Sequence, residues 1–201
     1  AIFGGVMTEW ILASASPRRH ELLKRLGLPF RIVQPVVEEW EPEEADPVAQ
    51  VCHNAQAKAA AVARDFPDAG IIAADTTVAL GKRLFAKPAN PRHAREMLRT
   101  LAGRTHQVFT GVSVVFHGKH RTFHDGSEVR FRALTEAEIE HYIATVHVFD
   151  KAGAYAIQDE GGWIVEHFTG SFENIMGLPL QRLRAELVEL GVKGLPPEVE
   201  K

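Results

Sequence analysis

The chain has 201 residues, 45% of them hydrophobic and 24% charged, which suits a compact soluble enzyme domain and excludes collagen-like, disordered and membrane-spanning classes. A formal net charge of −3 supplies no overall field for a polyanion, so no nucleic-acid partner is expected and any phosphate must be held by local cations. No apolar run reaches the roughly 18 to 20 residues that cross a bilayer, and the one cysteine, Cys52, cannot close an internal disulfide, so a cytoplasmic location without membrane contact is expected.

Residues 1–6 precede Met7 and read as a non-native leader; one domain is expected over 7–201. Trp10 to Ala13 is a short buried strand, and Leu22, Leu23 and Leu26 follow at helical spacing before Gly27 ends the helix. Phe30 to Val33 reads as a second strand and the acidic stretch Glu38 to Asp46 as a loop. From Pro47 to Phe66, apolar positions recur every 3.6 residues, which predicts a long amphipathic helix with Cys52 packed on its apolar side. Ile71 to Leu80 is a buried strand interrupted by Asp75, and Gly81-Lys82 turns it back. Asn90-Pro91 opens another helix as N-cap and first residue. Two strands, Val108 to Phe116 and Arg121 to Phe131, flank the turn Gly118-Lys119. Thr135 to Glu138 is a capping-box start. Trp163 to Phe168 reads as a late strand, Pro179 to Leu190 as the closing helix, and the tail from Leu195 as frayed. Helices alternate with strands, but the middle strands are consecutive, which predicts a mixed α/β sheet.

In the first helix Ser16 is the expected N-cap and Pro17 the first residue, so Arg18 and Arg19 fall in the first turn. That end of a helix already carries about half a positive charge. Two cations there are unfavourable unless an anion joins them, and free N–H groups, Ser14, Ser16 and the guanidiniums then form a phosphate site. The plainer reading leaves both arginines solvated. Asp75 needs a metal, hydrogen bonds or a cleft mouth to sit in an apolar strand; a structural turn cap reads equally well. Lys58 lies near the edge of the long helix's apolar stripe, where a snorkelling lysine is the commoner occupant. Lys87 follows the turn and by itself reads as solvated. Glu38 and Glu39 could serve a phosphate-bound cation or simply face water. His117, His120 and His124 fall in a hairpin without helical spacing, which argues against zinc, and Gly161, Gly162 and Gly177 read as turn glycines.

Ile11 to Arg19, with Glu21-Leu22-Leu23 behind it, resembles the opening signature of the Maf family. Glu39, Ala57-Lys58-Ala59, Ala74-Asp75-Thr76, Lys87-Pro88, Asp150 to Gln158 and Gly177 to Leu180 resemble further Maf motifs in order. The resemblance implies a mixed, curved sheet flanked by helices, of the inosine triphosphatase-like kind, with two lobes around a central cleft. It also implies a nucleoside triphosphate pyrophosphatase. By the family pattern Asp75 is the general base, Ser14, Arg19, Lys58 and Lys87 hold the triphosphate, and Glu39, with Asp75 able to contribute, places a divalent cation, Mg²⁺ or Mn²⁺. Arg18, Thr76 and Gln158 stand at the positions that track substrate choice, and this combination resembles the dTTP/UTP branch. A 7-methyl-GTP or other noncanonical nucleotide is the nearest alternative. The family's association with septum inhibition makes a non-catalytic regulator of cell division the alternative from another class. A homodimer is consistent with the resemblance alone. The chain departs from common Maf patterns at Ala156 and over Asn54 to Gln56, departures expected to leave the chemistry untouched.

Overall fold

A computed structural model describes residues 2, 3 and 6–197. In chain order the elements are β1 (Ile2–Phe3), β2 (Val6–Met7), β3 (Trp10–Ala13), α1 (Pro17–Arg25), β4 (Arg31–Ile32), α2 (Pro47–Asp65), β5 (Gly70–Leu80), β6 (Arg83–Phe85), α3 (Pro91–Leu101), β7 (Thr105–Phe116), β8 (Lys119–Phe131), α4 (Glu136–Thr145), β9 (Val165–Thr169), α5 (Phe172–Met176) and α6 (Leu180–Glu189). Seven strands form one sheet in the order β4-β3-β5-β7-β8-β9, with β6 paired to β5. β3 pairs parallel with β4 and β5, whereas the β5-β7, β7-β8 and β8-β9 ladders are antiparallel. The sheet is therefore mixed, as the consecutive middle strands predict.

Strand alternation divides the core. On β3 and β5, Trp10, Leu12, Ile72, Ala74 and Val78 face the larger core, which also holds buried residues of α1, α3, α4, α5 and α6. Ile11, Ala13, Ile71 and Ala73 face Ala59 and Val62 of α2 on the opposite side. Asp75 shares the parity of Ile71 and Ala73 and so points toward α2; Thr76 points the other way. α2 comes unusually close to the sheet at Gly111 of β7, where any Cβ would lie 2.5 Å from the Val51 carbonyl carbon. Gly111 is also the ladder partner of Asp75.

Helix starts follow their predicted caps: Ser16, Asn90 and Thr135 each accept a backbone N–H in the first turn, and Thr135 with Glu138 completes the capping box. Other boundaries shift. The late strand begins at Val165 because Asp159–Ile164, including Trp163, Gly161 and Gly162, winds into a 3₁₀ turn. The short helix α5 was not foreseen, being only five residues long; Ser171 caps it and Gly177, with φ +118°, terminates it in the left-handed region. Of the leader, Ala1, Gly4 and Gly5 lie outside the described residues, while Ile2–Phe3 and Val6–Met7 pair as an antiparallel ladder. Of the tail expected to fray, residues 198–201 lie outside the described part; Leu195 packs against the core and the Pro196 carbonyl accepts from Arg184.

Candidate active site

The site begins where β3 stops. β5 pairs with β3 only over Gly70 to Ala73 and with β6 only from Val78 onward. Between them, residues 74–77 of β5 keep β7 on one side and neither neighbour on the other. A cleft of about 360 Å³ opens at this split, the size range of small-ligand sites. Ser14, Arg18, Arg19, Glu39, Lys58, Asp75, Thr76, Lys87 and Gln158 all line it, so the cleft brings together every residue to which the family pattern gives a role, whereas Glu38 is not among its lining residues.

The loop leaving β3 prepares one wall. Buried Ser14 accepts the Ser16 backbone N–H through Oγ at 3.1 Å, and Ser16 Oγ accepts from Arg19 N at 3.4 Å. Arg19 reaches across to donate from Nε to the Gly177 carbonyl at 2.7 Å and from Nη2 to Thr76 Oγ1 at 3.0 Å. Both partners are neutral, and no carboxylate lies within ion-pair distance of this guanidinium among the described residues. Burial lowers the Arg19 pKa to about 10, with Asp75 as the leading opposing charge. A half-buried cation whose hydrogen bonds go only to neutral oxygens still has charge to offer an anion. Arg18 differs: Nε donates to the Met176 carbonyl at 3.3 Å and Nη1 pairs with Asp150 Oδ2 at 3.6 Å. Lys151 holds that carboxylate in turn at 2.8 Å. Burial pushes the Asp150 carboxyl up, but the Lys151 bond and charge, aided by Arg18, outweigh it and leave it below its ordinary value.

The opposite wall belongs to α2 and the acidic loop. Asp75 is 9% exposed, and Lys58, 6% exposed, donates from Nζ to Asp75 Oδ1 at 3.2 Å and to the Ala74 carbonyl at 3.3 Å while pairing with Glu39 Oε1 at 2.5 Å. Lys58 therefore does not snorkel; its ammonium bridges two carboxylates. Burial raises the Glu39 carboxyl, yet the Lys58 charge and hydrogen bond, with Lys87 and Arg19, leave it below the usual range. Glu41 is pushed up by burial and by the Glu39 charge. Exposed Lys87 and half-buried Gln158 also line the cleft, and the charge of Lys87 acts on Glu39.

Asn54 corrects one expectation. Far from lying outside the chemistry, its Nδ2 donates to Asp75 Oδ2 at 2.9 Å. The signal was present: Asn54 and Lys58 are four residues apart, hence on one helix face. Asp150 and Lys151 were visible only within a motif, without a role. Ala156, the other departure, is buried and also lines the cleft. Cys52 is half-buried, and burial raises its thiol pKa, which keeps it a poor nucleophile.

Whether the residues suit a divalent cation follows from their donors. Among the described residues no three His, Cys, Asp or Glu groups could enclose a metal by themselves. A Mg²⁺ ion bound with a triphosphate needs only one or two carboxylates, and the hard oxygens of Glu39 and Asp75 fit that requirement. No helix among the described residues is long and apolar enough to cross a membrane.

Two solved structures share the architecture: a HAM1 protein from Coxiella burnetii, with TM-score 0.52 and 16% identity over 91% of this chain and 100% of that one, and the Ham1 protein of Staphylococcus aureus, with TM-score 0.53, 14% identity and the same coverages. Sequence relatives are much nearer. A Bacillus cereus protein named dTTP/UTP pyrophosphatase is 43% identical over 94% of this chain and 93% of its own length. A Bacillus mycoides protein of the same name is 44% identical over 90% and 95%. The family described as Maf-like protein matches residues 9–190. That span runs from the strand before Ser14 through the final helix and contains every wall of the cleft, so the chain belongs to the Maf-like family.

Proposed function

We propose that this chain hydrolyses dTTP and UTP between the α and β phosphates, releasing the nucleoside monophosphate and pyrophosphate. The observation that carries the reading is the placement of a buried carboxylate, Asp75, in the same cleft as Arg19, a cation lacking an ion-pair partner among the described residues. The names of the Bacillus relatives support the choice of nucleotides. In this reading the N-terminus of α1, Ser14, Arg19, Lys58 and Lys87 hold phosphate oxygens. Asp75 takes a proton from water as the water oxygen bonds to the α-phosphorus; the bond from that phosphorus to the bridging oxygen breaks and pyrophosphate leaves. A divalent cation held by Glu39 and Asp75 together with the triphosphate would offset the charge on the leaving group. Arg18, steadied by Asp150, and Gln158 select the base, while Thr76 acts through Arg19 and Thr110, to which its hydroxyl is already bonded.

Phosphorus NMR of the products tests the reaction class: monophosphate plus pyrophosphate is expected, and stepwise orthophosphate would overturn it. Asp75→Asn should lower kcat on dTTP by roughly 10²- to 10⁴-fold while nucleotide still binds. An unchanged rate removes Asp75 from its role. Binding without turnover by the unaltered protein would instead indicate a regulator, and fast cleavage of 7-methyl-GTP with poor dTTP and UTP would move the specificity.

A further inference from the structure

We infer that Asn54 is a positioning residue for the reaction, fixing both the lone pairs of Asp75 that remain open to water and the distance of the acidic loop from that carboxylate. The inference rests on Asp75 being the general base. Asn54 is 1% exposed, and both hydrogens of its Nδ2 and one lone pair of its Oδ1 are committed. Oδ1 accepts the Trp40 backbone N–H at 2.8 Å, and Nδ2 donates to the Trp40 carbonyl at 2.9 Å and to Asp75 Oδ2 at 2.9 Å. The two contacts to Trp40 set the orientation of the amide, because a flipped group would face oxygen with oxygen and N–H with N–H. The second Nδ2 hydrogen then has one destination, Asp75 Oδ2.

With Lys58 Nζ on Oδ1 and Asn54 Nδ2 on Oδ2, each carboxylate oxygen carries one fixed donor. A proton arriving from water must use the directions these donors leave. Trp40 stands between Glu39 and Glu41, so the same amide ties the acidic loop to the base; Gln50 Nε2 adds a second grip on the Trp40 carbonyl at 3.1 Å. Asn54 is buried, so no solvent is at hand to replace its hydrogen bonds.

Asn54→Leu, similar in size and without polar atoms, tests this. We expect kcat on dTTP to fall about 10- to 100-fold, the rate equivalent of one hydrogen bond to a charged acceptor, with KM changed less than about threefold. Asn54→Asp keeps the shape and the acceptor for Trp40 N–H but puts a carboxylate against Asp75, and should lose at least as much kcat; it answers the question if the leucine variant does not fold. The discriminating step is a double-mutant cycle: in an Asp75→Asn background, Asn54→Leu should cost the residual rate much less than it costs the parent, because there is no base left to position and only the hold on the acidic loop is lost. A kcat within threefold of the unaltered enzyme, or a further loss in the Asp75→Asn background equal to that in the parent, overturns the inference. Full turnover by Asp75→Asn alone would instead sink the assignment of the base.

Discussion

Half-buried Arg19 and buried His106 both lose solvation of their charged forms, and each makes a measurable prediction. The Arg19 guanidinium meets only neutral oxygens from Gly177 and Thr76. Replacing it with the apolar, similarly long methionine removes a partly desolvated cation that is in no direct ion pair among the described residues, so the nucleotide-free Arg19→Met protein should melt no lower than the parent while its KM for dTTP rises at least tenfold. A large drop in melting temperature would mean that the guanidinium is structural. His106 is 1% exposed, bonded through Nε2 to Tyr155 Oη at 2.8 Å, and burial lowers its pKa from 6.5 to about 4. The unfolded chain therefore takes up this proton first as pH falls, and stability is lost between about pH 6.5 and 4, to a total of about 3 kcal/mol. Urea midpoints across that window should fall with acid, and His106→Gln, which can still bond Tyr155, should flatten this part of the profile.

Among the elements, α2 and its contact with β7 decide the geometry of the base. Lys58 and Asn54 share a helix face, but they reach Asp75 only because Gly111 lets the helix backbone approach the sheet. Gly111→Ala puts a methyl group 2.5 Å from the Val51 carbonyl carbon, against backbone that cannot rotate away. The variant should lose about 1–3 kcal/mol by overpacking and, because α2 must move, lose kcat on dTTP more than tenfold even well below its melting temperature. Retained kcat in the folded variant would show that the helix position is not critical. At α1, Ser16→Ala removes the cap acceptor for Arg19 N and should cost about 1 kcal/mol of stability, read from urea unfolding.

For the whole molecule, the cleft is an unmatched arrangement that a nucleotide completes. A non-hydrolysable dTTP analogue at a hundred times its Kd should stabilise the fold by about 2.7 kcal/mol, raising the melting temperature by about 5–10 °C at this chain length; Arg19→Met should lose most of that rise at the same concentration. Much of the architecture was legible beforehand. Apolar spacing of 3.6 and 2 residues located α2, β5 and the β7-β8 hairpin, and the caps Ser16, Asn90 and Thr135 located three helix starts, because these signals act within a few residues of one another. α5 escaped because five residues carry too little periodicity. The chemistry divided differently. Arg18 and Arg19 at a positive helix end, and an acid in an apolar strand, were conspicuous because each conflicts with its local surroundings. Asn54 conflicts with nothing local and so passed as incidental. The sequence by itself determined the mixed sheet, the helices and the types of group available for phosphate chemistry. Only the tertiary structure decided that β3 ends one residue before β5 opens toward the cleft, that Gly111 admits α2, and that Lys58 and Asn54 therefore meet opposite oxygens of Asp75. Those outcomes depend on strand register and interlayer distance, quantities set by packing between residues remote in the chain.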